Sequence, residues 1–353
     1  MRRIVAFVLT IASLLALCGG LFGCALTREE KFTDLSFDYF DTLTTIIGYE
    51  TDEQTFAENL VWIKGLLREY HRLYDIYNQY NGLNNLATIN LRENGEHVPV
   101  VVDQKIIDML LFAKEMYTET NGNINIAMGS VLRIWHQYRS WGAKHPTEAE
   151  LPPMADLEEA AEHINIDALL IDDETNTVYL SDPDMYLDVG AIAKGYAVEM
   201  VAQEMERRGI SGYLLNVGGN IRAIGAQPNG ELWQVFIQNP DKESDIPHIA
   251  QLEFDRMSLV VSGVYQRYYE VDGKRYHHII DPKTLMPSEN YLSISILTAH
   301  SGRADGLSTG LFSMSLEDGM ALIESLDGVE AQWVLPDGTI HTSSGFSAYT
   351  YEP

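Results

Sequence analysis

Asp305 and Thr309 stand four residues apart in Ala304-Asp305-Gly306-Leu307-Ser308-Thr309-Gly310. On a helix they share one face and offer a carboxylate and a hydroxyl to the same point. Such hard oxygen donors suit Mg2+, which takes few protein ligands and leaves its other positions to water and substrate phosphates. The same spacing also suits an N-cap Asp with a buried Thr bonding backwards to a carbonyl, so alone it does not choose between the two. A second constellation lies in Ser262–Pro287, where His277-His278 precede Ile279-Ile280 and the turn Asp281-Pro282, among Arg267, Lys274, Arg275 and Lys283. Adjacent strand residues point to opposite faces, so one imidazole can serve a pocket while the other is structural. Imidazoles, cations and a hard oxygen pair together are what phosphate-ester chemistry needs.

Three glycine turns could wall such a pocket. Asp188-Val189-Gly190-Ala191-Ile192-Ala193-Lys194-Gly195 joins a strand to a helix, giving backbone N–H groups and a helix N-terminus that can hold an anion. It has neither the P-loop pattern nor the dinucleotide Gly-x-Gly-x-x-Gly. Asn216-Val217-Gly218-Gly219-Asn220 reads as a tight strand connection or a close approach to ligand. Asn123 to Gly129 reads as a pocket wall or a plain helix-to-strand connection.

The elements that must position these residues follow from periodicity. Phe56, Leu60, Ile63, Leu67, Tyr70 and Tyr74 recur at helical spacing behind Thr51 or Asp52 as cap. The Asn-rich run Tyr77–Asn90 cannot continue that stripe and reads as an ordered loop or short helix. A strand at Val98–Val102 leads to a helix from Asp103 to about Thr120, ended by Asn121-Gly122. Glu148–Pro153 reads as linker before a short helix to His163. From Ala168 the chain turns to short strands, with one helix at Ala191–Arg208, another at Asp305–Met314, one at Glu317–Ser325 and a final hairpin around Pro336-Asp337-Gly338. Helices and strands alternate without a βαβ rhythm, so the fold class is α+β, one domain with antiparallel sheets and packed helices.

The chain has 353 residues, 46% hydrophobic, and a formal charge of −27. That length supports an ample core, and the acidic balance excludes a nucleic-acid surface, which needs clustered Lys and Arg. Residues 1–24 are set apart: Arg2 and Arg3 precede an apolar run from Ile4 to Leu17, the layout of an export signal. Leu21-Phe22-Gly23-Cys24 resembles a bacterial lipobox, which makes Cys24 the lipidation site; a plain secretory signal or an uncleaved anchor is the alternative. Cys18 and Cys24 are the only cysteines, so the exported part carries no internal disulfide. Residues 25–36 read as a tether and 37–353 as the functional domain, held outside the cytoplasm at the cell membrane.

Taken together and in order, the Asn123–Gly129 run with Trp135, the Asp188–Gly195 run, Asn216–Asn220, His-His-x-x-Asp-Pro and Asp-x-x-x-Thr resemble the ApbE family of FAD:protein FMN transferases. The resemblance spans the chain from about Asp41 onward. It implies a T-fold-like α+β domain, FAD as substrate, and Mg2+ for transfer of the FMN half to a Ser or Thr hydroxyl of an exported acceptor protein, releasing AMP. Carried over by position, it implies Asp305, Thr309 and the Ala191 carbonyl as metal ligands. It implies Asp188, Lys194, His278, Ala127, Met128, Gly129 and Tyr77 at the flavin nucleotide, with Tyr80 as the rival to Tyr77. His278 is the expected base for the hydroxyl proton, since imidazole titrates near about pH 6.5. Departures are Thr284-Leu285 after Asp281-Pro282, Asn220 where Asp is usual after Gly218-Gly219, and Phe40-Asp41-Thr42 near the start. The same site could instead hydrolyse FAD to FMN and AMP, or the chain could be a flavin-binding lipoprotein without chemistry. A passive binder has no use for the Asp-x-x-x-Thr pair.

Overall fold

The computed structural model describes residues 29–91, 98–265 and 267–351. The first half opens with strands β1 (Glu30–Tyr39) and β2 (Thr42–Glu50), then helix α1 (Glu53–Tyr74), the short α2 (Leu86–Leu91), β3 (Val100–Val101) and α3 (Gln104–Glu119). It continues through α4 (Gly129–Lys144), α5 (Met154–Ala161), β4 (Leu169–Asp172) and β5 (Thr177–Leu180) to α6 (Ala193–Arg207). The second half runs β6 (Tyr213–Val217), β7 (Asn220–Ile224), β8 (Trp233–Gln238), β9 (His248–Phe254), β10 (Ser258–Gly263), β11 (Tyr268–Val271) and β12 (Lys274–His277). It closes with β13 (Ser293–Thr298), α7 (Ser301–Gly310), α8 (Leu316–Glu324), β14 (Val329–Val334) and β15 (Ile340–Thr342).

Neighbouring strand residues such as Leu259 and Val260, or Ile296 and Leu297, are all buried. Because neighbours face opposite sides, the sheet that holds them must be covered on both faces. It is an eight-stranded antiparallel sheet in the order β1-β2-β6-β7-β10-β13-β14-β15. One face, with Val260 and Ile296, packs on α1, α3, α6 and α7. The other, with Leu259 and Leu297, is covered by Trp233, Val235, Leu252 and Phe254 of the β8–β9 hairpin. A third cluster joins Met128, Val131 and Trp135 of the α4 region to Leu157, Tyr269, Ile280 and Leu285. The α+β expectation holds.

Three expectations need correcting. The tether read at residues 25–36 ends by Glu30, where β1 begins pairing with β2; Phe32 secures it by stacking on Phe56 of α1 at 5.3 Å. The Asn123–Gly129 run leads into α4, a sixteen-residue helix, rather than a strand. Helix α7 starts at Ser301, not Asp305, because His300 Nδ1 accepts the Arg303 N–H at 3.2 Å and Glu199 accepts the Ser301 N–H at 2.9 Å. Glu199 is itself buried and paired with buried Arg222 at 3.3 Å, so one ionic contact fixes α6, β7 and the start of α7 together. The export signal and Cys24 lie outside the described residues.

Candidate active site

Helix α6 begins where α7 crosses it. Its third N–H, at Gly195, has no intrahelical partner, as at any helix start, and donates instead to Asp305 Oδ2 at 2.8 Å. The approach is close enough to require glycine: a Cβ at Gly195 would lie 2.4 Å from the Ser301 carbonyl oxygen and 2.5 Å from Asp305 Cβ. Small residues let α7 sit this deep. Gly302 packs on the Tyr196 backbone and Gly306 on Met116.

Asp305 is 3% exposed. Burial pushes its carboxyl above the usual range, opposed by Lys194 and the Gly195 N–H. Lys194 compensates loosely, with Nζ 3.4 Å from Asp305 Oδ2 and 3.4 Å from the Gly190 carbonyl. Asn220, 1% exposed, places its Oδ1 3.0 Å from the Gly195 Cβ position with no hydrogen-bond partner. Thr309 Oγ1 donates back to the Asp305 carbonyl at 3.3 Å, the arrangement that the bland reading of the spacing allowed. Asp305 itself is no N-cap, since it lies inside α7. The Ala191 carbonyl sits one residue before the α6 cap, and its i+4 donor, Gly195 N–H, is taken by Asp305. An under-neutralised buried carboxylate with Asn220 Oδ1, a buried acceptor without a donor, against the same Gly195 position is an oxygen-rich place that fits a hard divalent cation.

Asp188 leads into α6 and is held by its N–H to the Ile126 carbonyl at 2.8 Å and by its Oδ1, which accepts the Gly190 N–H at 2.8 Å. Burial raises its pKa; His136, Arg139 and Lys194 pull it back down. Asp188 therefore stands between two charged groups of residues.

On its other side lie α4 and the β11–β12 hairpin. His277 is buried: Nε2–H donates to the Ser288 carbonyl at 2.7 Å and Nδ1 accepts the Ile279 N–H at 3.2 Å, which leaves this ring no free nitrogen. His278 turns the other way. Its Nδ1 lies 3.3 Å from the Arg267 carbonyl, and a carbonyl can only accept, so Nδ1 carries the proton and Nε2 keeps the lone pair. Burial, then the charges of Arg139 and Arg267, depress its pKa to about 3. Arg139 donates to His136 Nδ1 at 3.2 Å, and the His136 ring lies 5.4 Å from that of Tyr77, which is 57% exposed. Tyr80 instead gives its hydroxyl to Asp75 at 2.8 Å and lies under Arg72.

Ala127 and Met128 are buried, and Gly129 opens α4 against the Tyr186 backbone, so this turn can offer main chain rather than side chains. The fold thus gathers Tyr77, Asp188, Lys194, His278 and Asp305. It adds Arg267, one of the cations of the Ser262–Pro287 run, and His136 and Arg139, which the sequence did not single out because no element was read between Gly129 and the Glu148–Pro153 linker. Their signal was the i, i+3 spacing of His136 and Arg139 one residue after Trp135. A separate group, His163, Asp182 and Asp184, is close enough to hold a metal ion; His163 Nδ1 and Asp182 already pair there at 2.9 Å.

A model of the ApbE family matches residues 40–333. The chain belongs to the ApbE family. Among ApbE-family relatives, the FAD:protein FMN transferase of Haemophilus influenzae is 28% identical over 92% of this chain and 91% of its own length. That of Treponema pallidum is 31% identical over 74% of this chain and 73% of its own. The crystallised flavin transferase ApbE of Vibrio cholerae superposes with a TM-score of 0.73 at 25% identity, covering 91% of this chain and 99% of its own. The ApbE protein of Thermotoga maritima, at 24% identity and a TM-score of 0.78, shares the fold over 92% of this chain and all of its own.

Proposed function

We propose that this chain transfers the FMN half of FAD to a serine or threonine hydroxyl of another exported protein and releases AMP. The carrying observation is the buried Asp305 carboxylate, only loosely neutralised by Lys194 at the start of α6, in a chain that an FAD:protein FMN transferase matches over 92% of its length.

Asp305, Thr309 and the Ala191 carbonyl would hold Mg2+, which when bound neutralises charge on a diphosphate. Lys194 faces the same point, and because its contacts are long, moving its ammonium onto a phosphate oxygen costs little. The dipole of α6, whose start lies here, favours negative charge there. Asp188, Tyr77 and the Ala127–Gly129 turn line the path between this end and His278 and hold the flavin nucleotide.

His278 Nε2 takes the proton of the acceptor hydroxyl. The hydroxyl oxygen bonds to the riboflavin-side phosphorus, the anhydride P–O bond breaks, and its electron pair leaves with AMP. The proton is then lost to solvent. A ring depressed to about 3, rather than near the ordinary 6.5, has its lone pair free throughout the neutral range but is a weak base, so it takes the proton only when the substrate's negative charge offsets Arg139 and Arg267.

The signal-like residues 1–24 and the lipobox-like Cys24 support a site for this chemistry outside the cytoplasm, with a lipid anchor at the membrane. Among the described residues no helix is long and apolar enough to cross a bilayer. The deciding experiment mixes the protein lacking residues 1–24 with FAD, Mg2+ and candidate exported acceptors. Flavin fluorescence on the acceptor should survive a denaturing gel and vanish with EDTA. AMP release without label would mean an FAD pyrophosphatase, and neither label nor AMP would leave a flavin binder.

A further inference from the structure

Among the described residues Arg139 and Arg267 have no carboxylate within ion-pair distance, in a chain with 51 acidic residues against 24 basic ones. Among the described residues most other arginines are matched: Arg207, Arg208, Arg222, Arg256, Arg275 and Arg303 each have a carboxylate within ion-pair distance. Arg68, Arg72 and Arg133 lie against aromatic rings. Among the described residues Arg139 makes one hydrogen bond, to the His136 ring, and Arg267 bonds through its carbonyl alone, to His278.

The two guanidiniums are brought together by packing. Gly142 of α4 is pressed so closely on the Tyr269 ring that a Cβ would lie 2.6 Å from it, and this sets β11, directly after Arg267, against the helix that carries Arg139. Each guanidinium acts on the other and on both His136 and His278. Bringing like charges together in a half-buried place costs free energy unless an anion completes it. The nearest fixed anion, Asp188, is shared with Lys194 and makes no ion pair with either arginine.

The order of charges assigns the missing anion. Asp305 pairs with Lys194 at 3.4 Å at one end, and at the other Arg139 bonds His136 at 3.2 Å and the Arg267 carbonyl meets His278 at 3.3 Å; Asp188, between them, feels the charge of both Lys194 and Arg139. If His278 meets the attacking hydroxyl and Lys194 meets the leaving side, the guanidiniums lie against the group in between.

We infer that Arg139 and Arg267 form a clamp for the riboflavin-side phosphoryl group, the one transferred, and hold the charge on its non-bridging oxygens as the anhydride breaks. Guanidinium geometry suits two such oxygens at once, and charge on a transferring phosphoryl spreads over these oxygens. The clamp also couples to the base: an anion between the arginines cancels the charge that disfavours a proton on His278, so the ring gains basicity when substrate is present.

This inference rests on the flavin-transfer reading, and one experiment separates the two. Binding of FMN and of riboflavin, which lacks the phosphate, is measured by flavin fluorescence for wild type, Arg139→Gln, Arg267→Gln and the double variant, with acceptor labelling followed in parallel. Wild type should bind FMN at least tenfold more tightly than riboflavin. The double variant should lose that preference while keeping its riboflavin affinity, and labelling should fall by about 10²–10³-fold. Arg139→Lys should restore part of the FMN preference. An FMN preference that survives in the double variant overturns the clamp even if wild type labels its acceptor. Failure of wild type to label, with the preference present and lost on substitution, overturns the transfer reading and keeps the clamp. If the double variant binds neither flavin but keeps the wild-type melting temperature, the arginines shape the whole pocket, and the clamp assignment is wrong.

Discussion

The crossing of α6 and α7 and the mouth between α4 and the β11–β12 hairpin carry opposite deficits. At the crossing a buried carboxylate lacks a full counter-cation; at the mouth two guanidiniums lack a counter-anion. The crossing is fixed by a glycine contact, a helix-start hydrogen bond and a buried ionic contact. The mouth rests on a two-stranded hairpin packed on one helix. A rigid end that wants a cation and a less buttressed end that wants an anion suit a diphosphate held with its metal at one end while a protein hydroxyl is admitted at the other.

The sharpest break is at Asp305. Asp305→Asn keeps shape but removes the cation ligand, and transfer should fall to background. Burial raises the Asp305 pKa, so the folded state favours the protonated form; stability from this group falls as pH rises from its unfolded value of about 3.8. In EDTA at neutral pH the variant should therefore melt no lower than wild type. Mg2+ should raise the melting temperature of wild type alone. An equal rise in both would move the metal elsewhere, for instance to His163, Asp182 and Asp184.

His278→Asn tests the other end and should slow turnover by about 10²-fold or more with little change in FAD affinity. Loss of affinity at an unchanged rate would make His278 a binding residue. Rigidity at the crossing is tested by Gly195→Ala, whose Cβ cannot fit and should cost about 1–3 kcal/mol in denaturant melts. A neutral result would mean that α7 can slide, and the contrast with the mouth would fail.

The smallest effect concerns acid. His278 is depressed in the folded state below its unfolded value of about 6.5, so the folded protein binds fewer protons and loses stability as pH falls from there toward about 3. His278→Asn should show a shallower fall in melting temperature between pH 7 and 5 than wild type. Identical slopes would say that the ring is not buried against the arginines.

Much of the frame was legible. Helix α1 follows its apolar stripe and its Asp52 cap, whose Oδ1 accepts the Thr55 N–H at 2.8 Å; α3 ends before Asn121 and Gly122, both at positive φ. Helix α4 was not legible, because its buried positions Val131, Trp135 and Gly142 are sparse and make sense only against Leu285 and Tyr269. With α4 went His136 and Arg139. The start of α7 was misread because its caps are an imidazole and a carboxylate from a distant helix, neither of which announces itself locally.

By itself the sequence determined the chemical inventory: a carboxylate and a hydroxyl at helical spacing, paired imidazoles, glycine turns, an α+β rhythm and a signal-like start. Those are properties of neighbours along the chain, set by side-chain type and local periodicity. Only the tertiary structure decided which imidazole kept a free nitrogen, that Asp305 caps α6, and that two unpaired arginines meet beside His278. These depend on burial and on charges distant along the chain, and neither is present until the helices and hairpin pack.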